Sequence, residues 1–225
     1  MDEHFFSVSR RNMLRGQLIP YQVSDENVLR AMGKIPRERF MHERKQVFAY
    51  ADRDVSLKDD RFIFEPMVLG RLLQEATPNE DDFALVLQAG SGYSTVLLSE
   101  MTKVVVALEN DDELYANMQH IVEEMKLDNV AAFHRPWRDG FASQAPFDLI
   151  FVDGIVPFLP ENLFPQLGEG GRLICVVAEP PAFTGTAFKV VKKDGNIALF
   201  QEFTCVLRDF CHTKEYKKFS FEEFS

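Results

Sequence analysis

Five short, largely apolar segments alternate with longer amphipathic segments in the second part of the chain, and this pattern constrains the fold most. The apolar segments lie at residues 83–87, 104–108, 130–133, 147–152 and 173–177. Because each is apolar on both faces, each is predicted to be a strand buried on both sides. Strands that alternate with helices favour a parallel sheet covered by helices on both faces.

Two amphipathic helices are predicted ahead of this sheet. Ser24 precedes an apolar face and predicts a capped helix that ends near Gly33. A second helix is predicted from Pro66, a residue favoured in the first helical turn, to just before Pro78. The polar stretch at residues 51–65 between them is predicted to be irregular.

The end of the α/β region differs from its beginning. Residues 188–191 and 197–203 are two strand-like segments joined by a turn at residues 193–196, which contains Asp-Gly. Asp-Gly supplies the positive φ angles of a tight turn, so a β-hairpin is predicted. The Phe-rich segment 219–224 is predicted to dock on the body of the protein or on a partner.

Composition and charge disfavour several classes of function. The net charge of −10 argues against a nucleic-acid partner, because such binding requires a basic surface. Cys175, Cys205 and Cys211 form neither an even framework nor a CxxC pair, and the five histidines lack ligand spacing, so no metal site is predicted. Without a signal-peptide pattern or an apolar run long enough to span a bilayer, the chain is predicted to be cytoplasmic and away from membranes.

The strongest local motif is a glycine-rich turn directly after the first strand, Ala89-Gly90-Ser91-Gly92-Tyr93. Glycines at a strand-to-helix turn let the backbone approach a ligand closely. Glu109 ends the second strand, where a carboxylate can accept hydrogen bonds from both ribose hydroxyls. This spacing predicts a nucleoside cofactor. The alternative is that the glycines only permit a tight turn and that Glu109 is a solvated charge.

Several segments resemble the protein-L-isoaspartate O-methyltransferase family, in one order and with near-identical spacing over about residues 13–178. They are residues 23–32, 35–40, 49–53, 92–93, 105–109, 145–148 and 168–173. The resemblance implies a class I methyltransferase (Rossmann-like) α/β fold with a mostly parallel seven-stranded sheet and an antiparallel C-terminal hairpin. It further implies an N-terminal helical, substrate-side extension at residues 1–78 and a methyltransferase core at residues 79–225, forming one compact domain.

The resemblance implies S-adenosylmethionine as the cofactor and the carboxylate of isoaspartyl residues in damaged proteins as the methyl acceptor. The methyl ester would return the chain to normal aspartate through a succinimide. The glycine turn would underlie the methionine part of the cofactor, Glu109 would hold the ribose, and residues after the third strand would flank the adenine. The full set of cofactor residues implied is Ala89, Gly90, Ser91, Gly92, Tyr93, Glu109, Asn110, Pro136, Trp137 and Asp153.

The chain departs from the family pattern around the cofactor. Val86 and Gln88 replace an acidic residue and the first glycine of the turn, which removes one contact near the cofactor's amino group. Arg135-Pro136-Trp137 replaces Gly-Asp-Gly after the third strand, which removes a carboxylate beside the adenine. Trp137 offers a flat face for stacking, and simple packing is the alternative.

The acceptor segment departs as well, because Phe64 stands at the family's serine position. Phe64 is predicted to reshape the acceptor pocket. Arg61 is predicted to recognise the acceptor carboxylate through a bidentate pair, with a solvated loop charge as the alternative. Methyl transfer to an ionised carboxylate needs no general base, so an enzyme is predicted despite these changes. The alternatives are a methyltransferase for another carboxylate and a degenerate member that serves as a binding module. The oligomeric state is left open.

Overall fold

The computed structural model describes residues 2–59, 61–179 and 182–206. Cys211 and the Phe-rich segment 219–224 lie outside these residues. The first part of the chain forms α1 (Glu3–Met13), α2 (Glu26–Lys34), the strands β1 (Val55–Lys58) and β2 (Arg61–Ile63), and α3 (Pro66–Ala76). Among the described residues, every helix is too short or too polar to cross a membrane.

Both helices predicted in this part are present, and local chemistry sets their ends. The N-cap of α2 is Asp25, one residue after the predicted Ser24, and its carboxylate accepts hydrogen bonds from the amides of Asn27 and Val28 at 2.9 and 3.0 Å. Helix α3 begins at Pro66, whose missing N–H is not needed in the first turn. Thr77 ends α3 in the left-handed conformation.

The prediction of an irregular segment at residues 51–65 is wrong, because β1 and β2 pair as an antiparallel hairpin with Val55 opposite Ile63. The strands are only four and three residues long, too short to show a clear hydrophobic period. An isolated two-stranded hairpin is marginally stable in water. Burial of Val55 and Ile63 in the main core therefore stabilises it.

A seven-stranded sheet forms the centre of the structure. Its strands are β3 (Phe83–Leu87), β4 (Val104–Glu109), β5 (Val130–His134), β6 (Phe147–Val156), β7 (Leu167–Val177), β8 (Thr184–Lys193) and β9 (Asn196–Val206). The order is β5-β4-β3-β6-β7-β8-β9, with β3 to β7 parallel and β8 antiparallel to both neighbours. Asp194 and Gly195 both have positive φ in the β8–β9 turn. The predicted fold class is confirmed.

The two faces of the sheet are covered differently. Helices α2 and α3, together with α4 (Tyr93–Ser99) and α5 (Asp112–Glu124), contribute to the core on one face. The core on the other face includes Leu163 from the 3₁₀ helix Glu161–Gln166. Strands β3 and β6 are neighbours, and the chain runs from β3 to β4 on one side and from β6 to β7 on the other. These connections diverge and open a crevice at the carboxyl ends of β3 and β6. Ligands of open α/β sheets bind at this kind of position.

Candidate functional site

The glycine turn lies where predicted, between β3 and α4. Gly90 and Gly92 have φ of +56° and +92°, in the region that favours glycine. A Cβ atom at Gly92 would meet Met118 Cγ at 2.8 Å, so the close packing of α5 also requires glycine there. Gln88 adopts a left-handed φ of 57° although it carries a side chain. The chain thus keeps a glycine-like backbone at a position where the family's glycine is missing.

Glu109, at the end of β4, is fully buried. One carboxylate oxygen accepts hydrogen bonds from the amides of Asn110 and Asp111 at 2.7 and 3.0 Å, and the other accepts from the amide of Gly90 at 2.7 Å. The alternative of a solvated strand-end charge is therefore wrong. These bonds hold the Glu109 side chain directly against the glycine turn.

Arg61 of β2 completes the surroundings of Glu109. Its Nη2 donates to the same Glu109 oxygen that Gly90 contacts, and its Nη1 donates to Gln88 Oε1 at 2.6 Å. The side chain of Arg61 is only 12% exposed. The alternative of a solvated loop charge is wrong for Arg61 as well, since its guanidinium spans the carboxyl ends of two neighbouring strands.

The rest of the β1–β2 hairpin closes over the same edge of the sheet. Leu57 Cδ1 would lie 3.3 Å from a Cβ at Gly90. Lys58 Nζ lies 3.0 Å from an Asp111 carboxylate oxygen and 3.3 Å from one of Glu113, which joins the hairpin to the start of α5. The cavity that remains has a volume of about 10 Å³, room for about one water molecule. It is lined by Arg61, Phe62, Gln88, Gly90, Asp153 and Gly154.

Asp153 of β6 brings a second carboxyl group to this cavity. Burial raises the pKa of Asp153 to about 7, an effect that the Ser94 hydroxyl and the charges of Arg61 and Arg37 partly oppose and that Glu109 reinforces. The amide nitrogen of Gln88 is buried beside it and has no hydrogen-bond partner within the described part of the chain. The cavity therefore presents both a carboxyl group and an unused amide donor.

Phe64 is not part of the cavity lining. Its side chain is 1% exposed, lies in the main hydrophobic core and packs edge-on against Phe62 at 5.0 Å between ring centroids. The backbone carbonyl of Phe64 accepts a hydrogen bond from Arg37 Nη2 at 2.5 Å. Phe62 contacts the cavity in its place, so the structure does not support a direct role of the Phe64 side chain in shaping the cavity.

Buried Arg37 fixes the end of the hairpin to the glycine turn. Besides its bond to Phe64, its Nε donates to the Ala49 carbonyl at 2.7 Å, and its guanidinium lies 5.2 Å from the centre of the Tyr93 ring. Ser91 Oγ donates to the carbonyl of Phe40, in the same N-terminal segment, at 2.5 Å. The N-terminal segment and the cofactor-side turn thus form one packed unit.

The predicted adenine-side residues lie apart from the cavity. Trp137 packs against the core on the face of the sheet that includes Leu163, and the Arg138 guanidinium lies 5.1 Å from the centre of the Trp137 ring. The Asn110 carbonyl lies 3.2 Å from His134 Nε2. Neither Trp137 nor the preceding Pro136 lines the cavity.

Sequence reasoning missed four residues that the fold brings to the site, namely Leu57, Lys58, Phe62 and Gly154, and it named Gln88 only as the loss of a cofactor contact. The signal in the sequence was Gln88 itself, because a long side chain at a position where the family has glycine needs space nearby. Gly154 provides that space, because a Cβ there would lie 2.7 Å from Gln88 Oε1.

Comparison with known proteins identifies related sequences. Residues 9–207 match the family model of the protein-L-isoaspartate(D-aspartate) O-methyltransferases. The Koribacter versatilis protein-L-isoaspartate O-methyltransferase is 35% identical over 175 residues, which are 78% of this chain and 79% of the relative. The Pelotomaculum thermopropionicum enzyme is 31% identical over 170 residues, 76% of this chain and 74% of the relative.

Solved structures share the fold. A protein-L-isoaspartate O-methyltransferase superposes with a TM-score of 0.76 at 25% identity, over 88% of this chain and 64% of that longer chain. A Plasmodium falciparum homologue solved with S-adenosyl-L-homocysteine superposes with a TM-score of 0.72 at 23% identity, over 90% of this chain and 96% of that chain. The match of the family model across most of the chain, with the glycine turn and the buried Glu109 in place, shows that this chain belongs to the protein-L-isoaspartate(D-aspartate) O-methyltransferase family.

Proposed function

We propose that this chain is an S-adenosylmethionine-dependent methyltransferase that methylates the carboxylate of isoaspartyl residues in damaged proteins. The observation that carries the proposal is the family match over residues 9–207. It spans the N-terminal segment, the hairpin and the sheet, and therefore every residue of the site described above.

The residues at the carboxyl end of β3 fit S-adenosylmethionine. Gly90 and Gly92 keep the turn free of side chains, Glu109 offers a buried carboxylate suited to ribose hydroxyls, and the amide nitrogen of Gln88 is a buried donor left unpaired by the described residues. The segment Ala89–Tyr93 and Glu109 would hold the cofactor, which supplies an electrophilic methyl group on a sulfonium sulfur when bound. The roles of Asn110, Pro136 and Trp137 stay predictions.

The acceptor chemistry makes modest demands on the protein. In the transfer, the bond from sulfur to the methyl carbon breaks while a bond from the acceptor carboxylate oxygen to that carbon forms, and the sulfur keeps the bonding electron pair. The acceptor is already ionised at neutral pH, so no proton has to be removed. The protein therefore contributes by aligning the two groups and by excluding water.

A cation beside the site would attract the negatively charged carboxylate of the acceptor. Arg61 is the cation that lines the cavity, and it is already bonded to Glu109 and Gln88. Recognition of the acceptor by Arg61 would require it to leave Glu109. This requirement connects acceptor recognition to the position of the hairpin.

The proposal includes a protein substrate, rather than a nucleic acid, in the cytoplasm. The net charge of −10 supports the exclusion of nucleic acid, because a phosphate backbone would be repelled. Cys175 and Cys205 are buried and form no disulfide within the residues that the structure describes, which supports a reducing compartment.

The decisive experiment is transfer of labelled methyl from S-adenosylmethionine to an isoaspartyl peptide, with the same peptide containing normal aspartate as the matched control. We expect base-labile methyl ester on the isoaspartyl peptide only. Cofactor binding is measured separately by calorimetry. Bound cofactor without transfer to either peptide would contradict the isoaspartyl acceptor.

A further inference from the structure

We propose that Arg61 competes with the cofactor for Glu109, so that the β1–β2 hairpin sets the affinity of this chain for S-adenosylmethionine and must move before the cofactor binds. This inference rests on the proposed function, in which Glu109 holds the cofactor ribose. It concerns an arginine that pairs with a carboxylate 48 residues away in sequence.

The first argument is the number of hydrogen bonds that Glu109 already makes. Each of its two oxygens accepts two, from Asn110 and Asp111 on one side and from Gly90 and Arg61 on the other. The three backbone donors are fixed by the strand end and by the turn. Arg61 is the donor that can leave, and a ribose hydroxyl can take its place on the same oxygen.

The second argument is volume. The cavity beside the glycine turn has a volume of about 10 Å³, whereas pockets for molecules of cofactor size occupy roughly 300–1,000 Å³. A nucleoside cofactor therefore cannot enter while Leu57, Phe62 and Arg61 lie against the turn. Side-chain rotation of Arg61 alone leaves Phe62 in the cavity lining and Leu57 Cδ1 3.3 Å from where a Cβ of Gly90 would stand, so we infer that the hairpin itself has to shift.

The third argument is how the hairpin is held. One attachment is the Arg61 bridge to Glu109 and Gln88, and a second is the exposed pair of contacts from Lys58 to Asp111 and Glu113. A third is the hydrogen bond of 2.7 Å that Lys45 Nζ donates to the Ser56 carbonyl. The hairpin is short, and within the described part of the chain its sheet consists of two strands. Val55 and Ile63 anchor the hairpin in the main core, whereas its outer part depends on these polar attachments. Loss of the Arg61 or the Lys58 attachment therefore shifts the population toward a form that is open over the glycine turn.

The test measures binding of S-adenosylhomocysteine to the full chain by calorimetry and its association rate by stopped-flow fluorescence. Arg61→Gln removes the charge and keeps a long polar side chain, and Lys58→Gln loosens the hairpin without touching the cavity. Arg44→Gln is the matched control, since Arg44 is an exposed arginine of the same N-terminal segment.

We expect Arg61→Gln to bind the ligand about tenfold more tightly than wild type, the effect of removing one charge-assisted competitor. Lys58→Gln should associate faster, and Arg44→Gln should match wild type. Wild type should show an association rate that levels off at high ligand concentration, because hairpin opening precedes binding.

Equal or weaker binding by Arg61→Gln, with unchanged thermal unfolding of the free protein, would overturn the proposal. Absence of binding by both wild type and Arg61→Gln would overturn it as well. The first result is separate from failure of the proposed function, since binding of the demethylated cofactor needs no acceptor. The second result would count against cofactor use, and therefore against the proposed function as well. An isoaspartyl peptide that is not methylated by any variant, despite tighter binding in Arg61→Gln, would reject the acceptor and retain the competition.

Discussion

Replacement of Asp153 by asparagine should remove a large pH-dependent term from the stability of this protein. The carboxyl group lines the small cavity beside the glycine turn, where burial raises its pKa from 3.8 to about 7. Arg61, Arg37 and Glu109 are the charged groups that act on it, and Ser94 is the polar neighbour. An asparagine side chain at this position would have nearly the same shape and no titratable proton.

The sign follows from the direction of the shift. Between pH 3.8 and about 7 the folded protein keeps a proton on Asp153 that the unfolded chain has lost. Stability contributed by this proton is therefore complete below the unfolded pKa and is lost as the pH rises toward the folded one. The full shift corresponds to about 4 kcal/mol, and the part that falls between about pH 5 and pH 8 is about 3 kcal/mol.

Urea unfolding of wild type and Asp153→Asn at several pH values measures this term directly. Other groups titrate alike in both proteins, so the difference between their free energies of unfolding isolates Asp153. We expect the variant to gain about 3 kcal/mol on wild type between about pH 5 and pH 8. Parallel stability profiles over that range would refute the account of Asp153 as a carboxyl group held neutral by burial.

Two further predictions concern single residues of the site. Phe64→Ser should lower the free energy of unfolding by about 3–5 kcal/mol, because Phe64 is a buried core residue, whereas Phe183→Ser, at a side chain that is 69% exposed, should lower it far less. Urea unfolding checks both variants, and a loss under about 1 kcal/mol for Phe64→Ser would contradict its core role. Glu109→Ala should weaken S-adenosylhomocysteine binding by about 1.5–3 kcal/mol when made in an Arg61→Gln background, and less in wild type, where the change also removes the partner of Arg61. Calorimetry on the four proteins of this double-mutant cycle checks the second prediction, and equal losses in both backgrounds would contradict competition between Arg61 and the ribose.

Most of the sheet could be predicted because buried parallel strands are apolar on both faces. Strand β3 was predicted with its observed bounds, and β4 and β5 extend one residue beyond theirs. Strands β6 and β7 are longer than predicted, since Asp153, Gly154 and the segment around Gly170 interrupt the apolar runs without ending the strands. Hydrophobic pattern therefore locates a strand more reliably than it locates its ends.

The candidate site could be predicted only in part. The glycine turn and the carboxylate at the end of β4 were evident from local sequence, because a strand, a turn and a helix bring them together within 21 residues, 89–109. The roles of Phe64 and Arg61 were inferred from their positions in the family pattern. Such positions do not reveal which way a side chain points, and Phe64 turned into the core while Phe62 faces the cavity.

The sequence by itself determined the fold class, the cofactor-side turn and the family. These depend on apolar periodicity, on glycine at positive φ and on residues close together in the chain, all of which are local. Only the tertiary structure decided that Arg61 lies on Glu109, that Gln88 is supported by Gly154, and that Asp153 is enclosed with both. The physical reason is that charge pairing and desolvation depend on distances and burial in space, and these arise when the hairpin packs against strand ends far from it in sequence.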